Sequence, residues 1–68
     1  KISLAKIFQK KRKSKHLTQT QVAKLLHTSQ SRVAKIEAGD PSVSLELLIK
    51  GLISLGTSRK TVGEYIAA

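Results

Sequence analysis

The sequence predicts an all-α fold, five short helices in a single domain covering residues 1–68. Two observations carry this expectation. Apolar residues recur at i, i+3 and i+4 in each apolar stretch and do not alternate, so the periodicity is helical throughout. Ser or Thr stands before most of these stretches, and Gly39 and Gly56 stand after two of them, which suits N-caps and left-handed helix ends. A chain of 68 residues is close to the smallest that closes its own core, so most apolar positions are committed to packing and a large active-site cavity is not expected.

The first helix, from Ile2 to about Ser14, places Leu4, Ile7 and Phe8 on one face and Lys6, Lys10, Lys11 and Lys13 on the rest. Arg12 continues the Leu4, Phe8 series by four, so it falls on the buried stripe, where a charge needs a partner. After the connector Lys15-His16-Leu17, Thr18 and Gln21 fit a capping box that starts the second helix. Val22, Ala23 and Leu26 face inward there, Ala23 being small enough to let another helix cross closely, while Leu25 fits neither face cleanly. His27 and Thr28 make the turn, and Thr28 or Ser29 caps the next helix.

The third helix, Ser29 to Ala38, gathers Val33, Ile36 and Glu37 on one side, with Ser31 and Lys35 nearly opposite. A solvated helix more commonly mixes Glu with Lys for i, i+4 pairing; this outer face carries only small polar groups, a Gln, an Arg and a Lys. Gly39 ends the helix, and Asp40-Pro41 cannot continue it. Ser44 then caps a fourth helix with the stripe Leu45, Leu48, Ile49, Leu52 and Leu55, closed by Gly56. Thr57-Ser58 starts a last short helix whose apolar side, Val62, Tyr65 and Ile66, either completes the core or offers a surface to a second copy.

Charge is the strongest compositional feature. The net charge is +9, but Lys1 to Lys35 holds ten Lys or Arg and no acid, whereas Ile36 to Ala68 holds three bases and four acids. One half attracts polyanions and the other is neutral, a distribution suited to nucleic acid and steeply salt-dependent binding. With no Cys, two separated His and no Gly-rich phosphate loop, the chain offers no metal site, no cofactor site and no catalytic constellation, so an enzyme is not expected. Phe8 and Tyr65 are the only aromatics and Phe8 is assigned to the core, so platforms for stacking single-stranded bases are missing. No apolar run approaches the roughly 20 residues that span a bilayer, and no leader pattern is present, so a soluble cytoplasmic protein is expected.

The stretch from Thr18 to Gly39 resembles the helix-turn-helix of the lambdoid-phage repressor and Cro family. LTQTQVAKLL is similar to that family's Leu-Thr-Gln-x-x-(Leu/Val)-Ala opening, and TSQSRVAKIEAG to its Ser-Gln-x-x-(Ile/Val)-x-x-(Ile/Leu)-Glu-x-Gly recognition segment. The resemblance implies a lambda-repressor-like five-helix domain that binds double-stranded DNA, in a bacterial or phage cytoplasm. Gln19 would then meet a phosphate at the start of the second helix, beside its capping role. Thr28, Ser29, Gln30, Ser31, Arg32 and Lys35 would enter or border the major groove, Gln30 suiting adenine and Arg32 or Lys35 suiting guanine or phosphate. Ser42 and Ser44, with Val43 between them, match a segment that clamps the DNA backbone. Arg12 and Glu37 match a partly buried ion pair between the first and third helices; where burial is complete, removing one partner costs roughly 3–5 kcal/mol.

Two residues depart from the pattern. His27 stands where the family commonly has a left-handed Gly, and Thr28 replaces a more usual aliphatic. The leading expectation is a sequence-specific transcriptional regulator, a repressor acting as a homodimer on a palindromic operator. The alternatives are an antitoxin whose main role is to bind a toxin, suggested by the small size and the SVSLELLIKGLISLG continuation, and a non-specific cationic nucleic-acid-binding protein.

Overall fold

In a computed structural model, which describes residues 3–67, the chain forms five helices: α1 (Leu4–Ser14), α2 (Gln19–Leu25), α3 (Gln30–Ala38), α4 (Leu45–Ser54) and α5 (Arg59–Ala67). Ile2, expected to open the first helix, lies outside the described residues.

The starts of these helices follow from local side-chain chemistry. At α2 the capping box is complete: Gln21 N–H donates to Thr18 Oγ1 at 3.1 Å, and Thr18 N–H donates to Gln21 Oε1 at 2.8 Å. Ser29 caps α3 from just outside it by accepting from Arg32 N–H, so the helix begins at Gln30. Ser44 accepts from Leu47 N–H at the head of α4, and Ser58 accepts from Thr61 N–H at the head of α5.

The ends share one device. After each of the first four helices a residue with positive φ reverses the chain: His16 (57°), His27 (54°), Gly39 (71°) and Gly56 (95°). The N–H of the next residue then donates five residues back, Leu17 to Arg12, Thr28 to Ala23, Asp40 to Lys35 and Thr57 to Leu52. This is a Schellman ending repeated four times. His27 was expected in that conformation; the same geometry at His16 was not. A side chain there costs roughly 1–2 kcal/mol relative to a right-handed residue, so the two His turns are the strained members of the set.

The core lies where α1, α2, α3 and α4 converge under α5. Phe8, Val22, Val33, Ile36, Leu52 and Leu55 are fully buried, and Leu4, Ile7, Leu17, Leu26, Leu48 and Ile49 pack around them. Each fully buried large side chain contributes roughly 1.5–3 kcal/mol of transfer free energy. Leu45 departs from the expected stripe, being 53% exposed. It shares the face of Leu52 but sits seven residues away, about 10 Å along the axis, past the edge of the core; Leu47 packs instead. Leu25 is likewise exposed.

Gly51 sets how closely α1 and α4 approach. A Cβ there would stand 2.5 Å from Phe8 Cε2, so only glycine admits the Phe8 ring at this depth. Thr57 is buried after α4, where its N–H completes the helix end, but its hydroxyl has no partner.

Candidate nucleic-acid interface

The outer face of α3 is built by the burial of its inner one. Because Val33 and Ile36 are held in the core, Gln30, Ser31, Arg32 and Lys35 stand exposed along the opposite side, and Ser29 is exposed at the N-terminus. Thr28 is half-buried in the turn, and its N–H is committed to the Ala23 carbonyl. No carboxylate interrupts this face until Glu37, which points inward.

Behind the face runs a chain of polar contacts crossing three helices. Arg12 Nη2 donates to Glu37 Oε1 at 3.0 Å, and Arg12 Nε donates to the other carboxylate oxygen. The remaining Arg12 nitrogen donates to the Leu17 carbonyl at 2.8 Å, so the guanidinium ties α1 both to α3 and to the connector before α2. Gln19 Nε2 donates to Glu37 Oε1 at 3.1 Å, and Gln30 Nε2 donates to Gln19 Oε1 at 2.7 Å. The series Arg12, Glu37, Gln19, Gln30 thus leads from the edge of the core to the exposed tip of α3.

Its protonation state is set by its neighbours. Burial alone would push the Glu37 carboxyl up, but hydrogen bonds from Arg12 and Gln19, with the Arg12 charge and a further bond from Gln9, hold it below its ordinary range. Arg12 is raised, chiefly by its hydrogen bond to Glu37 and against its own desolvation. Both are therefore charged at neutral pH. Glu37 then only accepts hydrogen bonds, which forces the Gln19 amide nitrogen toward it and leaves Gln19 Oε1 facing Gln30. The orientation of both amides follows from one carboxylate.

In the loop before α4, Ser42 and Ser44, the residues expected beside the DNA backbone, are both exposed. Asp40 Oδ1 accepts Ser42 N–H at 2.8 Å, and this bond, with a second from the Ser42 hydroxyl, holds the Asp40 carboxyl below its usual range. Ser42 is thus engaged with Asp40. Ser44 spends one lone pair on the α4 cap and keeps its hydroxyl proton available. Sequence reasoning missed Asp40 here and Gln9 beside Glu37; the i, i+3 spacing of Gln9 and Arg12 on α1 was the available clue.

On α5 the three residues grouped as a possible dimer surface separate. Val62 is 2% exposed and belongs to the core, Tyr65 turns toward α1, and Ile66 is 49% exposed beside α4. They share about 100° of helix arc, but neighbours on both sides divide that arc among three surroundings. Val62 is therefore corrected from a candidate surface residue to a core residue.

Among the described residues no group of three or more His, Asp or Glu could hold a metal ion, and no helix is long and apolar enough to cross a membrane. Two helices joined by a tight left-handed turn, the second presenting a polar and basic face, define a helix-turn-helix DNA-binding domain. The chain matches the helix-turn-helix family of the Cro/C1 type over residues 8–60, well over half its length, and belongs to that family. No match was found among curated proteins or among solved structures. Its general role is accordingly DNA binding in transcription regulation.

Proposed function

We propose that this protein is a sequence-specific repressor that reads the major groove of double-stranded DNA with α3, as a homodimer on a palindromic operator. The observation that carries this reading is the Gln30–Gln19–Glu37 relay. Gln30 uses one amide proton on Gln19 and keeps one N–H and its carbonyl oxygen, side by side, at the exposed tip of α3. That donor and acceptor pair complements N7 and the N6 amino group of adenine. Gln19 keeps one N–H free at the head of α2, and in this reading that N–H meets a phosphate. Ser31, Arg32 and Lys35 continue the same face, Arg32 and Lys35 supplying the charge for guanine edges or phosphates.

Area and charge support dimerisation. One module of this size buries too little of a duplex for tight specific binding, so two copies on half-sites one helical turn apart are needed. Two copies cannot meet through their strongly basic halves. The neutral half carries an apolar groove between α4 and α5, lined by Ile49, Ile53 and Ile66, with Leu45 exposed on the same helix. This face is the dimer contact in the proposal, and Ile66→Asp is expected to give a folded monomer in sedimentation.

The reading face is tested by competition among duplexes that differ at single base pairs. Gln30→Ala should keep the fold and lose roughly 1–3 kcal/mol of preference at one adenine, while Lys35→Ala weakens binding and lowers its salt dependence. A folded Gln30→Ala protein with unchanged selectivity at every position would show that α3 does not read bases through this residue.

A further inference from the structure

The outer side of α1 carries a groove that the DNA reading leaves unused. Its floor is formed by Ile7 and Tyr65, where α5 passes beside α1, and Lys6, Lys10 and Lys11 stand around it. Ile7 and Tyr65 are both half-buried, so each keeps part of its apolar surface open to solvent. At 100° per residue, Ile7 lies about 140° and Lys10 about 160° around α1 from Arg12, the residue that faces α3. The lysine-bearing part of the groove therefore faces away from α3, and Gln9, which bonds Glu37, marks its near edge.

The charge on this side is uncompensated. From Leu4 to Ser14 the helix has Lys6, Lys10, Lys11, Arg12 and Lys13 and no acid, so none of its lysines has the i, i+4 carboxylate that commonly supports a solvated helix. Among the described residues the one ion pair is Arg12–Glu37. The last-turn residues Lys11 and Lys13 complement the helix dipole, but Lys6 and Lys10 lie before that turn and gain nothing from it. The groove is open to solvent, with apolar and basic side chains side by side along it, a pairing that suits a segment of polypeptide better than an ion.

We propose that this α1–α5 groove is a docking site for an acidic, amphipathic helical segment of a partner protein. Apolar side chains of that segment cover Ile7 and the Tyr65 ring, and its carboxylates meet Lys6, Lys10 and Lys11. The apolar floor is what selects such a segment over a second nucleic-acid strand, whose phosphates would use the lysines and leave Ile7 and Tyr65 idle. Because the groove and the reading face lie on different sides of α1, the segment and operator DNA bind together, and the site links DNA occupancy to a protein partner.

The probe is a synthetic helical peptide with Leu at i, i+3, i+4 and i+7 and Glu at the other positions, titrated into the isotopically labelled protein with amide shifts followed by NMR. The expected result is saturable shifts at Ile7, Lys10 and Tyr65 that persist when duplex DNA is already bound. Lys6→Glu with Lys10→Glu, both at exposed positions, is expected to weaken the peptide about tenfold or more, a loss on the scale of a few close charge pairs. A control peptide with every Leu replaced by Ser should bind at least about tenfold more weakly than the Leu peptide. Three outcomes overturn the proposal: equal binding of the Leu and Ser peptides, peptide shifts at Gln19, Gln30 and Lys35 abolished by duplex, or duplex DNA itself producing saturable shifts at Ile7 and Tyr65. None of them bears on whether α3 reads bases.

Discussion

Replacing Glu37 by Gln leaves the shape of the α1–α3 contact nearly unchanged and removes its negative charge. The Arg12 side chain is 12% exposed and that of Glu37 only 4%, so the variant leaves a largely buried guanidinium without a counter-charge. Complete burial would set the cost at roughly 3–5 kcal/mol. Arg12 keeps the Leu17 carbonyl and a little solvent, and the new amide oxygen still accepts one bond, which lowers the expected cost to about 2–3 kcal/mol. For a domain this small, whose total stability is on the order of 3–10 kcal/mol, that is a large share. Urea unfolding followed by far-UV circular dichroism reads it as a midpoint lower by about 2–3 M, at a slope near 1 kcal/mol/M.

The same tie fixes a pH dependence. The folded-state pKa of Glu37 lies below its ordinary value of 4.5, so the stability contributed by its charge is fully present above that value and is lost as pH falls through the lower, folded one. The gap between wild type and Glu37→Gln should narrow over that acidic range and stay constant above it. A double variant, Arg12→Met with Glu37→Leu, should recover most of the loss, because it removes both charges together. A cost below about 0.5 kcal/mol for Glu37→Gln, or a double variant no more stable than the single one, would refute the role given to this pair.

Three further predictions concern packing and turns, each read by the same urea unfolding. Gly51→Ala drives a methyl group into the Phe8 ring and is expected to cost about 1–3 kcal/mol. His27→Gly removes a left-handed cost of roughly 1–2 kcal/mol and adds back about 0.5–1 kcal/mol of chain entropy, so a net gain near 0.5 kcal/mol is expected. Thr57→Val keeps the buried shape and deletes a hydroxyl without a partner, and should stabilise by about 1 kcal/mol.

What could be read in the sequence was what depends on near neighbours. The capping box at Thr18 and Gln21, the Ser29 and Ser44 caps and the left-handed Gly39 are all local, and each stands where the residues placed it. Phe8, Val22, Val33 and Ile36 were legible as core because helical periodicity reports burial when the stripe is continuous. Leu45 continued a stripe beyond the end of the core, a length that periodicity does not register. The contact of Gly51 with Phe8 and the division of Val62, Tyr65 and Ile66 among three surroundings depend on where helices cross. Gln19 and Gln30 were each assigned to DNA separately; their mutual bond spans eleven positions and two helices, and no local pattern announces it.

If α3 reads a defined base sequence as one half of a symmetric pair, selecting preferred duplexes from a random pool with the purified protein tests that reading most directly. The predicted result is enrichment of an inverted repeat whose half-site centres lie about one helical turn apart, with an adenine in each half-site that Gln30→Ala no longer selects. Enrichment of no sequence, or of one without two-fold symmetry, would contradict it.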